Sequence, residues 1–183
     1  MLTESQRNAN LVLIVQAAKQ AETPECPARF LAAQCVLESG CLEFAPGNNP
    51  FGIKAYPGCS GKQLLRTTEW FSLPQLGTFL TLDPARTASA HLPTQSRLTD
   101  GTTFTLWDVH DWFATFPDLA SAFALRVHLA QTPLYKPFGD QYAQDHDLEK
   151  LVLATAKVYS TSDPDAYANL IMQQVAAMEP LFV

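Results

Sequence analysis

Residues 31–40, LAAQCVLESG, read as an apolar helix that stops at a glycine and carries one carboxylate, Glu38, just before the stop. An anion there faces the negative end of the helix dipole, where a cation would be favoured. Ala32, Ala33, Val36 and Leu37 supply an apolar face beside it. Desolvation and the helix end both disfavour the charged form, so the carboxyl is expected to hold its proton above the usual carboxylate range. A carboxylic acid kept protonated near neutral pH can deliver a proton to a leaving oxygen, as glycosidic bond cleavage requires. Nearby, GNNPFGIKAY (47–56) gathers two amides, aromatics, two glycines and a lysine. Asn and Gly suit tight turns, yet exposed amides and aromatic faces also hold sugar hydroxyls and N-acetyl groups.

These residues need elements to position them. Thr3 and Gln6 form a capping-box pattern that opens an amphipathic helix over about 4–21. A second helix is predicted over about 27–39, with Pro27 in its first turn and Gly40 as its stop. Residues 41–66 are rich in glycine and proline and read as loop. The stretches 64–73 and 104–109 are rich in β-branched and aromatic residues and predict strands. Between them, 74–103 contains three prolines with many Ser and Thr and reads as a long excursion outside the core. Helices return at about 117–131, 147–159 and 164–179, the last capped by Ser162 or Asp163 with Pro164 in its first turn. The fold class expected is mainly α (α+β): one domain, 1–183, with a small β lobe at 64–116 that holds the insertion 74–103.

Composition limits the partners. The 183 residues are 47% hydrophobic and 16% charged, as in a globular protein able to bury a core. A net charge of −6 and a pI near 5.1 argue against nucleic acid or an anionic membrane surface. The apolar run Leu11–Val15 is short and not preceded by basic residues, so neither a signal peptide nor a membrane-spanning anchor is expected. No CxxC pair occurs, and the four histidines lie far from metal-ligand spacing; no metal and no cofactor are expected. Cys26 and Cys35 would lie about 13 Å apart along one helix, too far for a disulfide. Cys41 and Cys59 bracket a loop and could meet, although four free thiols is the favoured reading.

The segments AAQCVLESG (32–40), NNPFGIKAY (48–56), TTEW (67–70), FPDLASAFALRVHLAQTPLY (116–135) and YSTSDPDAYANLI (159–171) occur in an order and spacing that resembles the bacterial glucosaminidase family, glycoside hydrolase family 73, over about residues 10–180. That family includes autolysins and the hydrolase domain of flagellar rod-cap proteins. The resemblance implies a lysozyme-like helical lobe with a β-hairpin flanking a cleft, and Glu38 as catalytic acid. It further implies that Asn49, Phe51, Gly52 and Lys54 line the cleft, that Glu69 is a second carboxylate, that Tyr159 borders the active site, and that Asp163 and Tyr167 match later motif positions, Tyr167 as a substrate contact. Glu69 also fits the solvated face of a strand, Tyr159 a core tyrosine, Lys54 a solvated lysine and Asp163 a helix cap. Trp107 and Trp112 read as packing. Departures from the family pattern are Cys41 in place of a bulky aromatic, Pro50 in place of leucine, one extra residue in the 159–167 motif, and the 74–103 insertion, which bears on cleft width and substrate length.

The function expected from this resemblance is a monomeric peptidoglycan hydrolase, an endo-β-N-acetylglucosaminidase acting in the periplasm or outside the cell. A muramidase or lytic transglycosylase on the neighbouring bond, or a non-catalytic glycan-binding module, are the alternatives.

Overall fold

The computed structural model describes residues 1–159 and 163–183. The chain divides into two compact units, one formed by Met1–Gly52 with Phe116–Val183, the other by Ile53–Thr115.

The first unit is helical. Helix α1 (Glu4–Ala21) opens on the expected capping box, with Thr3 and Gln6 reciprocally bonded. Helix α2 (Ala28–Ser39) is the core of the unit: Phe30, Leu31, Ala32, Ala33, Cys35 and Val36 are all at most 5% exposed. A helix apolar on every side has to be surrounded, and α2 packs against both α1 and α7 (Pro164–Met178). Pro27 stands one position earlier than expected, as the N-cap; the Glu22 carboxylate accepts the Ala28 N–H that this cap cannot reach. Helices α4 (Leu119–Ala130) and α6 (Leu148–Tyr159) pack on α1 and α7 respectively. Asp118 and Asp163 cap α4 and α7 through their carboxylates, so Asp163 is a cap as read; Ser162 lies outside the described residues.

Helix α5 (Lys136–Asp145) was not expected, because Pro137 and Gly139 mask its helical pattern. Pro137 lies in the first turn, where no N–H is needed. Gly139 is required by close packing: a Cβ there would come within 2.9 Å of the Glu25 Cβ and 3.0 Å of the Glu25 carbonyl oxygen.

The second unit is built on one long central strand. Strands β1 (Gly61–Phe71) and β4 (Thr102–Thr115) pair antiparallel over their common length, Glu69 opposite Trp107. Strand β4 extends further at both ends than the sequence pattern suggested, whereas β1 starts earlier than expected, at Gly61, and ends earlier, at Phe71. The 74–103 stretch is not an excursion. It contributes α3 (Leu73–Thr81) and two short strands, β2 (Thr87–Ala90) and β3 (Ser96–Thr99), both paired with β4. Residues 72–75, SLPQ, repeat the Ser/Thr-x-x-Gln signal that opens α1, and the Gln75 side chain accepts the Ser72 N–H. Asp100 and Gly101 form a two-residue hairpin between β3 and β4, both with positive φ, as a turn matching strand twist demands. Leu76 and Phe79 of α3 form a small core with Val109, flanked by Phe71, Ala88 and Trp107.

All four cysteines are free, so Cys41 and Cys59 do not pair. Burial pushes the Cys26 thiol up to about 11 and Cys35 to about 12. No helix among the described residues is long and apolar enough to cross a membrane.

Because Phe79 closes the core of the second unit, Phe79→Ala is expected to destabilise that unit by about 3–5 kcal/mol. Urea denaturation of the variant checks this; no change would mean that Phe79 contributes nothing to the stability of that unit.

Candidate functional site

Glu38 occupies the penultimate position of α2 and is half-buried. The helix stops through three successive left-handed residues, Gly40, Cys41 and Leu42, with φ of 57°, 62° and 69°. Only glycine takes this region freely; Cys41 and Leu42 are strained there by about 1–2 kcal/mol each. Hydrogen bonds hold the turn. The Ser39 hydroxyl donates to the Cys35 carbonyl at 2.6 Å and accepts the Leu42 N–H at 2.8 Å. Asn10 donates to the Cys41 carbonyl at 2.8 Å. Cys41 is 1% exposed.

The Tyr167 hydroxyl, from α7, donates to Glu38 Oε1 at 2.5 Å. Gln34 Nε2 donates in turn to the Tyr167 oxygen at 3.1 Å, and Arg126 Nε donates to Gln34 Oε1 at 2.8 Å. The Tyr159 ring lies 5.6 Å from that of Tyr167, and its hydroxyl donates to the Phe51 carbonyl at 3.3 Å. Burial raises the Glu38 carboxyl above its usual value; the Tyr167 hydrogen bond and the charge of Arg126 pull the other way without cancelling it. Burial and the neighbouring Glu38 hold both tyrosines neutral, far above the phenol range. The result is a carboxyl group whose proton affinity is raised above that of an exposed glutamate, with an uncharged donor on one of its oxygens.

The 47–56 stretch divides between structure and surface. Asn49 is 5% and Phe51 4% exposed, so neither presents the exposed amide or aromatic face anticipated there. Phe51 packs edge-on against Phe123, with centroids 4.9 Å apart. Gly52 is exposed, with φ of 59°.

Lys54 and Glu69 meet in the second unit. Residues 53–55 run along β4, Ala55 N–H bonding to the Trp112 carbonyl and Ala114 N–H to the Ile53 carbonyl. Lys54 Nζ thereby sits 4.1 Å from the Phe113 ring centroid, 2.6 Å from Glu69 Oε1 and 3.1 Å from Asp111 Oδ2. Arg86 Nε, from the segment between α3 and β2, lies 2.9 Å from Asp111 Oδ1. Lys54 is therefore ion-paired while its side chain stays open to solvent. Trp107 is packing, as read; Trp112 donates to Asp83 and carries Lys62 over its ring.

Sequence reasoning did not assign Gln34, Arg126, Asp111 or Arg86. Two of them left signals. Gln34 lies four residues before Glu38, on the same helix face, and is the one uncharged amide in an otherwise apolar run. Arg126 is the only arginine or lysine in α4.

No protein-family model and no curated protein matches the chain. Solved structures do resemble it. The catalytic domain of the autolysin Auto from Listeria monocytogenes superposes with a TM-score of 0.58 at 16% identity, covering 98% of this chain and 88% of that one. The glycoside hydrolase domain of FlgJ from Salmonella typhimurium gives 0.52 at 17% identity, covering 98% and 91%. A C-terminally truncated form of that domain gives 0.50 at 18%, covering 95% and 96%. The chain therefore has the mainly α, lysozyme-like fold of these domains.

Proposed function

We propose that the protein is a peptidoglycan hydrolase, an endo-β-N-acetylglucosaminidase that cleaves the glycan strand on the reducing side of N-acetylglucosamine. The observation that carries this reading is Glu38: a half-buried carboxyl at a helix end, bonded by Tyr167, with its proton affinity raised by desolvation. Its fold, shared with an autolysin catalytic domain and a glycoside hydrolase domain, supports it. The substrate lies outside the cytoplasm, and the protein acts there.

In this mechanism Glu38 gives its proton to the glycosidic oxygen as the bond to the anomeric carbon breaks. The carbon, oxocarbenium-like, is attacked by the acetamido oxygen of the same sugar. Water then opens the cyclic intermediate and returns a proton to Glu38. Tyr159 and Tyr167 border the acid, and Lys54 and Gly52 are assigned to substrate contact. Asn49 and Phe51 are buried and serve through packing rather than through contact with the glycan. Glu69 positions substrate rather than activating water, because one of its oxygens is already engaged by the Lys54 ammonium.

The test is digestion of purified peptidoglycan, followed by mass spectrometry of the new ends. A reducing N-acetylglucosamine supports the reading. A reducing or anhydro N-acetylmuramic acid transfers the activity to the neighbouring bond, and intact glycan leaves a binding module.

Glu38→Gln should lower hydrolysis by at least about 10²–10⁴-fold, the contribution of general acid catalysis. The protein should stay folded, because the amide oxygen can still accept from Tyr167. A raised folded-state pKa means that the native protein binds more protons than the unfolded chain above the ordinary glutamate value, so wild-type stability falls as pH rises through the folded pKa. Glu38→Gln removes that loss, and its stability relative to wild type should increase between pH 4 and pH 8 in urea melts. Near-native activity would overturn the catalytic assignment.

Glu69→Gln should cost tenfold or less, about 1.4 kcal/mol of barrier. A loss above about a thousandfold, roughly 4 kcal/mol, with an inverted anomer by NMR, would instead make Glu69 the base that activates water.

A further inference from the structure

Arg126 is 3% exposed and Gln34 is fully buried. Among the described residues Arg126 makes no direct ion pair; its guanidinium lies 5.8 Å from the Phe30 ring centroid and 5.7 Å from that of Tyr135, with its Nε on Gln34. Burying a cation without a touching counter-charge is costly, so this placement calls for a reason.

The hydrogen-bonding capacities of the chain Arg126–Gln34–Tyr167–Glu38 supply one. Arginine can only donate. Its donation turns the Gln34 oxygen towards it, which turns the Gln34 amide nitrogen towards Tyr167. The Tyr167 oxygen then accepts from Gln34, and its one O–H is directed to Glu38 Oε1. Every bond runs in the same sense, from guanidinium to carboxyl. With Oε1 taken by a donor, the acidic proton of Glu38 belongs on Oε2.

We infer that Arg126 is a positioning residue for the acid: acting through Gln34 and Tyr167, it sets the direction of the relay, keeps the transferable proton on Oε2, and is the remote counter-charge of the carboxylate left once that proton has gone. This inference rests on Glu38 being the acid of the proposed hydrolysis. The ionisable groups that bear on Glu38 are Arg126, Tyr159 and Tyr167. The two phenols stay neutral, so Glu38 alone changes charge through the working range.

The test compares wild type, Arg126→Met and Arg126→Lys in the full chain, on a soluble glycan-strand fragment and in urea melts. For Arg126→Met, kcat should fall at least tenfold with KM unchanged within about twofold. The alkaline limb of its pH profile should move to higher pH, because loss of the cation weakens the acid. Arg126→Lys should recover part of kcat. In a double-mutant cycle with Glu38→Gln, the stability coupling should be larger at pH 8 than at pH 4. Native kcat with an unshifted limb, or a coupling independent of pH, would overturn the inference. If Arg126→Met does not fold, Gln34→Met cuts the relay at its middle and reads the same kinetic quantities. Active Glu38→Gln enzyme would defeat the proposed function itself. Dead Glu38→Gln beside unaffected Arg126→Met would defeat only the inference.

Discussion

The last turn of a buried helix is an unfavourable place for a carboxylate, and much of the first unit is organised around having one there. Desolvation and the helix end both disfavour the ionised form of Glu38. The hydrogen bond from Tyr167 limits this penalty without removing it. That single bond constrains the packing: α7 must bring Tyr167 against the end of α2, and α2 must present Gln34 one turn before Glu38. The strained turn through Gly40, Cys41 and Leu42 then leads the chain away from the acid, held by Ser39 and Asn10.

Electrostatics take a different form in the second unit. Glu69, Lys54, Asp111 and Arg86 alternate in sign and are joined by ion pairs, with Lys54 and Glu69 41% and 34% exposed. The exposed Lys54–Glu69 pair adds about 0–1 kcal/mol to stability. Its contribution is orientation: the β4 register and the 53–55 segment hold Lys54 against Glu69. Burial raises the proton affinity of the carboxyl at the end of α2, whereas the carboxylate on β1 is engaged by a cation.

Local signals were legible wherever one residue type has one physical use. Thr3 with Gln6 marked the start of α1, Gly40 the end of α2, and Pro164 the first turn of α7. The same logic was available at SLPQ for α3 and at Asp100–Gly101 for a hairpin, but surrounding prolines and hydroxyl residues hid both in an apparent loop. Helix α5 was hidden by Gly139, which a helix seldom carries inside and which here exists for close packing against Glu25.

By itself the sequence determined that Glu38 sits at the end of an apolar helix beside a glycine stop, because helix period and capping are local properties. It also determined α1, α2, α4, α6 and α7, which the patterning of about ten residues at a time decides, but not α3 or α5. Only the tertiary structure decided that Tyr167 bonds Glu38, that Gln34 joins Tyr167 to Arg126, and that Lys54 belongs to Glu69. Those partners are 129, 133, 92 and 15 residues apart. A hydrogen bond is specified by distance and direction in space, and nothing in the spacing of residues along the chain encodes either until the helices and strands have packed.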